Sequence, residues 1–220
     1  MSKEQADLRR LRFEAKIYEL NGHQNPWLSM GRDYSSKHEY INSAICFERS
    51  NDPDGLFLVA LCYSEGEISQ DSDRYKQAEK YLIKSGSDMA YCNLGILYAD
   101  GKIGRKLSLL ARYQKAAEHY YKLQTSEGFF NLLIMIKYNL VRSIDKIKIE
   151  ESLNEKILDL PKHKQNYYKG KISSLNEDFE KAINYLSQAV MLGYEEALPC
   201  LKSAQEVFEA EHKLKTLKNE

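Results

Sequence analysis

Residues 90–104 read AYCNLGILYADGKIG, and the order of residue types within that stretch decides the fold. Ala90, the pair Leu94-Gly95, Tyr98 and Gly101 give small, aliphatic, small, aromatic and glycine in succession. A shift of 35 residues toward the N-terminus finds the same series in Gly55, Val59, Ala60, Tyr63 and Gly66. Positions i, i+4, i+5 and i+8 share one face of a helix with about 3.6 residues per turn, and that face must be buried. Gly95 and Ala60 lack bulk where two helix backbones approach, while Tyr98 and Tyr63 supply flat packing area with a hydroxyl that reaches water. Gly101 and Gly66 then stop the helix, since a residue without a Cβ takes the left-handed conformation readily.

A second patterned helix follows each of these. Ala78, Tyr81, Leu82 and Ser85 match Ala117, Tyr120, Tyr121 and Gln124, and Ala182, Tyr185, Leu186 and Ala189 repeat the pattern. The unit is helix, turn, helix. Tyr40, Ala44 and Phe47 form an earlier second helix, and Leu153 with Ile157 a weaker one mid-chain. Asn51-Asp52-Pro53-Asp54 and Asp71-Ser72-Asp73 supply N-caps, and Gly86, Gly128 and Gly193 suit reversals after second helices. The spacing predicts helices over 4–20, 36–49, 54–65, 73–85, 88–100, 107–124, 127–142, 145–159, 163–174, 177–192 and 194–215, with no competing strand pattern.

Residues 90–104 closely resemble the first helix and turn of the Sel-one-like repeat, a relative of the tetratricopeptide repeat, through Ala90, Leu94-Gly95, Leu97-Tyr98 and Gly101. Tyr63, Glu65-Gly66, Gln77-Ala78 and Tyr81 resemble the same family's turn and second helix. Lys181-Ala182, Tyr185, Ala189, Gly193 and Ala197 are similar to both families. The resemblance covers 54–104 and 166–198; the first fifty residues and 129–165 depart from it, and around Leu132 the Leu-Gly pair is missing. It implies an all-α fold: one α-solenoid domain over 1–220, about five helix–turn–helix repeats in a right-handed superhelical stack. The clearest repeats are 54–86, 88–125 and 163–193, with divergent helices over 1–50 and a capping helix over 194–220. First helices would line a concave face, in a family generally used as scaffolds and adaptors. A stack whose repeats touch only their neighbours offers a long surface on which side chains vary without breaking the core.

Composition narrows the partners. Lys plus Arg and Asp plus Glu are both 32, so no net charge draws the chain to a polyanion or an anionic membrane. Residues 142–171 carry eight basic and five acidic side chains, interleaved as on solvated helix faces. The first residues run straight into a charged helical pattern without an export signal, which predicts a cytosolic protein. The best apolar run, Leu132-Leu133-Ile134-Met135-Ile136, is too short for a membrane span. Cys46, Cys62, Cys92 and Cys200 show neither zinc nor disulfide spacing and read as reduced, buried thiols.

No constellation for catalysis stands out, and neither a cofactor nor a metal is expected. His23, His38, His119, His163 and His212 are scattered, and His119 reads as a packed or solvated side chain. Gly101-Lys102-Ile103-Gly104-Arg105-Lys106 lacks phosphate-loop spacing and sits where the repeat needs its turn. Asp52-Pro53-Asp54-Gly55 resembles the centre of a calcium loop, but Leu61 stands where the closing Glu belongs, so it is a cap. Tyr91, Asn93 and Tyr168 fall between core positions on first helices and are the candidate partner-binding residues. The functional expectation is a non-catalytic adaptor or scaffold binding a protein or peptide in its groove. A sharper version is an immunity or antidote protein that covers a toxin; the opposing class is a hydrolase or modifying enzyme with a groove-borne site.

Overall fold

The computed structural model describes residues 3–69, 73–141 and 144–218, and among them every regular element is helical. The helices are α1 (Lys3–Leu20), α2 (Pro26–Ser36), α3 (Tyr40–Ser50), α4 (Pro53–Glu65), α5 (Arg74–Ser85), α6 (Asp88–Ala99) and α7 (Leu109–Leu123). They continue with α8 (Ser126–Lys137), α9 (Lys146–Leu158), α10 (Lys162–Leu175), α11 (Phe179–Met191), a short 3-10 turn (Glu195–Ala197) and α12 (Leu198–Lys218). The chain forms two compact units, Met1–Leu123 and Gln124–Glu220.

Helices pack against their sequence neighbours. In the first unit α2 pairs with α3, α4 with α5 and α6 with α7; in the second, α8 pairs with α9 and α10 with α11, and α12 lies against α11. Three of these hairpins close by one device. A Cβ added to Gly31 would stand 2.5 Å from the Phe47 ring, one on Gly95 2.5 Å from Tyr120, and one on Gly170 2.5 Å from Leu186. Each first helix therefore gives up a side chain so that a large one from its partner can lie on its backbone. Side chains also tie helices together: Ser43 donates to the Gly31 carbonyl at 2.8 Å and Ser85 to the Pro53 carbonyl at 2.7 Å. Tyr81 reaches from α5 to Glu48 of α3 at 2.9 Å and stacks on Tyr63.

The expected helices form, with one addition and several corrections. Helix α2, which the sequence spacing does not predict, starts at Pro26, with the Asn25 side chain accepting from the Leu28 N–H at 3.1 Å. It buries Met30 and Tyr34 against Leu11 and Ala15 of α1. Asp52 caps α4, accepting from the Asp54 and Gly55 N–H groups, as the cap reading of that tetrapeptide requires. Of the second proposed cap, Asp71 and Ser72 lie outside the described residues, and Asp73 makes no side-chain cap bond. Gly128 is not a reversal: it sits buried in the first turn of α8, where its N–H is capped by Thr125. Gln124 takes that left-handed position, at φ +48°. Mid-chain, Ile149, Leu153 and Ile157 form the fully buried stripe of α9, so the weak second-helix pattern there is a core face.

Candidate partner-binding surface

Helix α6 presents two contrasting faces. Ala90, Leu94, Gly95 and Leu97 point into the core, fixed by the α7 contact at Gly95. On another face, Met89, Asn93 and Ile96 follow one another at i, i+4 and i+7, with Met89 60% and Ile96 42% exposed. The Asn93 amide donates to the Met89 carbonyl of its own helix at 3.0 Å. Shifted by the 35-residue repeat, α4 carries Asp54, Leu58 and Leu61 at the same register, the two leucines half-buried.

The three sequence candidates divide. Tyr91 shares α6 with Asn93 but turns toward α7: its half-buried ring packs on the core and stacks on His119, centroids 6.3 Å apart. His119 also stacks on Tyr98 at 5.6 Å, and its Nδ1 is sealed from solvent without a hydrogen-bond partner. Burial, helped by Lys122, pushes the His119 pKa below the ordinary imidazole value, so the ring is a neutral packing group at physiological pH. Tyr168, in the second unit, stands two residues before the contact glycine Gly170, the register that Asn93 holds relative to Gly95. Its hydroxyl donates to Glu127 of α8 at 3.1 Å, and burial together with the Glu127 charge raises its pKa. Lys171 completes that cluster, its amine 3.3 Å from Glu127 and 4.1 Å from the Phe130 ring centroid. Asn93 is thus the candidate whose hydrogen bond stays within its own helix; Tyr91 and Tyr168 are engaged across helices. Met89 and Ile96 belong to the Asn93 face and escaped the sequence reading, although their spacing from Asn93 was the available signal.

The sequence foretells no clefts. One, of about 300 Å³, lies along α1 and α2, where Tyr18 donates to Asp33 and Tyr34 to Glu14. The bond to Asp33, then burial, pushes the Tyr18 pKa up to about 12; burial, then the Glu14 bond, raises that of Tyr34. Both phenols are therefore neutral donors that fasten α1 to α2, not acids or bases available near neutral pH. The second cleft, in the second unit, is about 430 Å³ and apolar, with Phe130, Phe179, Pro199 and Cys200 among its walls. None of the four cysteines is joined in a disulfide; Cys46 and Cys62 are buried, and burial foremost raises both pKa values to about 12, whereas Cys92 and Cys200 are half-buried. Among the described residues no three His, Cys, Asp or Glu side chains group as a metal site, and no helix is long and apolar enough to cross a membrane.

The class these observations define is an all-helical protein of sequential helical hairpins. No family model matches the chain, and no curated protein matches it.

Proposed function

We propose that the protein is a cytosolic, non-catalytic adaptor or scaffold of the Sel-one-like, tetratricopeptide-related kind, its hairpins the repeats of an α-solenoid. In this reading it holds a partner protein or peptide on the exposed face of its first helices. The observation that carries the reading is the Met89, Asn93, Ile96 stripe: large apolar side chains left in water beside an amide, on a helix otherwise committed to the core. At the same register of α4, Leu58 and Leu61 are half-buried and pack against the core. Apolar anchors flanked by polar groups are what a recognition surface needs, since binding energy concentrates in a few desolvated side chains. Use as an immunity or antidote protein lies within this class.

Affinity capture from extract of the source cells, compared quantitatively between variants, tests it. Ile96→Asp and Met89→Asp should each deplete the captured partner by about tenfold or more, a change of about 1.4 kcal/mol or greater. Lys115→Asp, on the exposed side of α7, should leave capture intact. Equal depletion by all three, or by none, removes the α6 face from the account.

A further inference from the structure

Helix α1 is apolar on two opposite faces, and among the described residues only one of them is covered. Leu11 and Ala15 are buried against Met30, Tyr34 and Cys46. On the far side Phe13, Ile17 and Leu20 recur at i, i+4 and i+7 while remaining 70%, 42% and 77% exposed. The row runs from Phe13 to Leu20, eight residues and about 10 Å along the axis. A basic row, Arg9, Arg12 and Lys16, runs along one edge of it at i, i+3 and i+7. Between Arg9 and Leu20 the helix carries four basic side chains (Arg9, Arg10, Arg12, Lys16) and two acidic ones (Glu14, Glu19). Glu14 pairs with Arg10 and Glu19 with Lys16, so that, among the described residues, neither carboxylate answers Arg9 or Arg12.

We propose that this face of α1 is a docking site for an acidic amphipathic helix of a partner protein, distinct from the surface on α6 and independent of it. Two turns of apolar side chains one row wide match the seam along which two helices pair. The basic row then calls for carboxylates on the flank of the incoming helix. A second copy of the chain would bring the same surplus of positive charge to the contact. An anionic bilayer takes up a broad apolar face sunk into the headgroup region, and a single row of three side chains does not provide one.

The test uses the full chain and a fluorescein-labelled synthetic peptide of about three heptads, with Leu at the seam positions and Glu on the flanks. A counterpart carries Lys on the flanks. Fluorescence anisotropy should show the Glu peptide binding at least about tenfold more tightly than the Lys peptide, with added salt narrowing the gap. Phe13→Glu and Leu20→Glu should each weaken binding by about tenfold or more, whereas Ile83→Glu, at a 60% exposed apolar position on α5, should not. Arg9→Glu should weaken it too and flatten the salt dependence. Leu20→Gln is the milder companion, and a native far-UV spectrum with unchanged melting certifies each variant as folded. The proposal is overturned if both peptides bind alike or not at all, or if the α1 variants bind as the native chain does. It is equally overturned if sedimentation shows a dimer that Leu20→Glu dissolves, or if the chain sediments with anionic vesicles while ignoring the peptide.

Discussion

Replacing Gly95 by alanine adds one methyl group where the structure has no room for it. The new Cβ would stand 2.5, 2.7 and 2.9 Å from three carbons of the Tyr120 ring. Carbon atoms rest at about 3.5–4.0 Å, so the ring or the helix must yield by about 1 Å. Tyr120 is only 5% exposed and packed within the hairpin, so the movement propagates. Overpacking of this kind costs about 1–3 kcal/mol, against which alanine regains about 1 kcal/mol of helix propensity over glycine. The expected net is a loss of up to about 2 kcal/mol, a fall of as much as several degrees in Tm. Urea unfolding followed by far-UV dichroism and by the fluorescence of Trp27, the single tryptophan and a residue of the first unit, measures it. In a Tyr120→Ala background the clash is gone, and Gly95→Ala should become neutral or stabilising by up to about 1 kcal/mol. A Gly95→Ala chain that gains stability in the native background, or loses as much with Tyr120 removed, would refute the close approach on which the hairpin geometry rests.

Tyr91→Ala strips a half-buried ring from His119 and should cost about 1–3 kcal/mol by urea melts, whereas Asn93→Ala should stay within about 0.5 kcal/mol. Lys171→Met removes the cation shared by Glu127 and Phe130 and should cost about 1–2 kcal/mol of stability in the second unit, read by hydrogen exchange of α8 and α10. Because the folded-state pKa of Tyr18 is raised from 10.0 to about 12, its contribution is complete below pH 10 and is lost as the pH climbs through about 12. Alkaline unfolding should therefore lose part of its steepness in Tyr18→Phe. Melting should be indifferent to chelators and to reductants, since no disulfide joins the four cysteines and, among the described residues, no three metal-ligating side chains group together; a shift of several degrees with either would reveal an unrecognised site.

Helices and their core faces were legible where glycine and apolar period spoke together. Gly66, Gly86, Gly101 and Gly193 all take positive φ at the ends of helices or just beyond, as their places in the pattern demand. Other turns were silent in the sequence because His38, Gln124, Asn139 and Glu177 hold left-handed conformations without glycine, as Asn51 does at the end of α3. That is why Gly128 drew the reversal that belongs to Gln124. Helix α2 lies within the first fifty residues, which depart from the repeat pattern, and its contact residue is Gly31, on whose backbone the Phe47 ring lies. The surface was less legible than the core. Spacing told that Tyr91 and Tyr168 lay off the main stripe, but only the fold brings Tyr91 onto His119 and Tyr168 to Glu127. The outward row of α1 had a readable period, yet a sequence cannot say which of two apolar faces finds a partner inside the fold.

The claim that the protein works by holding a partner on its first helices is tested most directly by site-specific photo-crosslinking in extract of the source cells. A photoreactive amino acid replaces Asn93 in one preparation and Lys115, exposed on α7, in another. The account predicts one discrete, saturable adduct from position 93, suppressed when Ile96→Asp is added, and none from position 115. Adducts of equal yield from both positions, or none from position 93 under conditions where the native chain captures its partner, would contradict it.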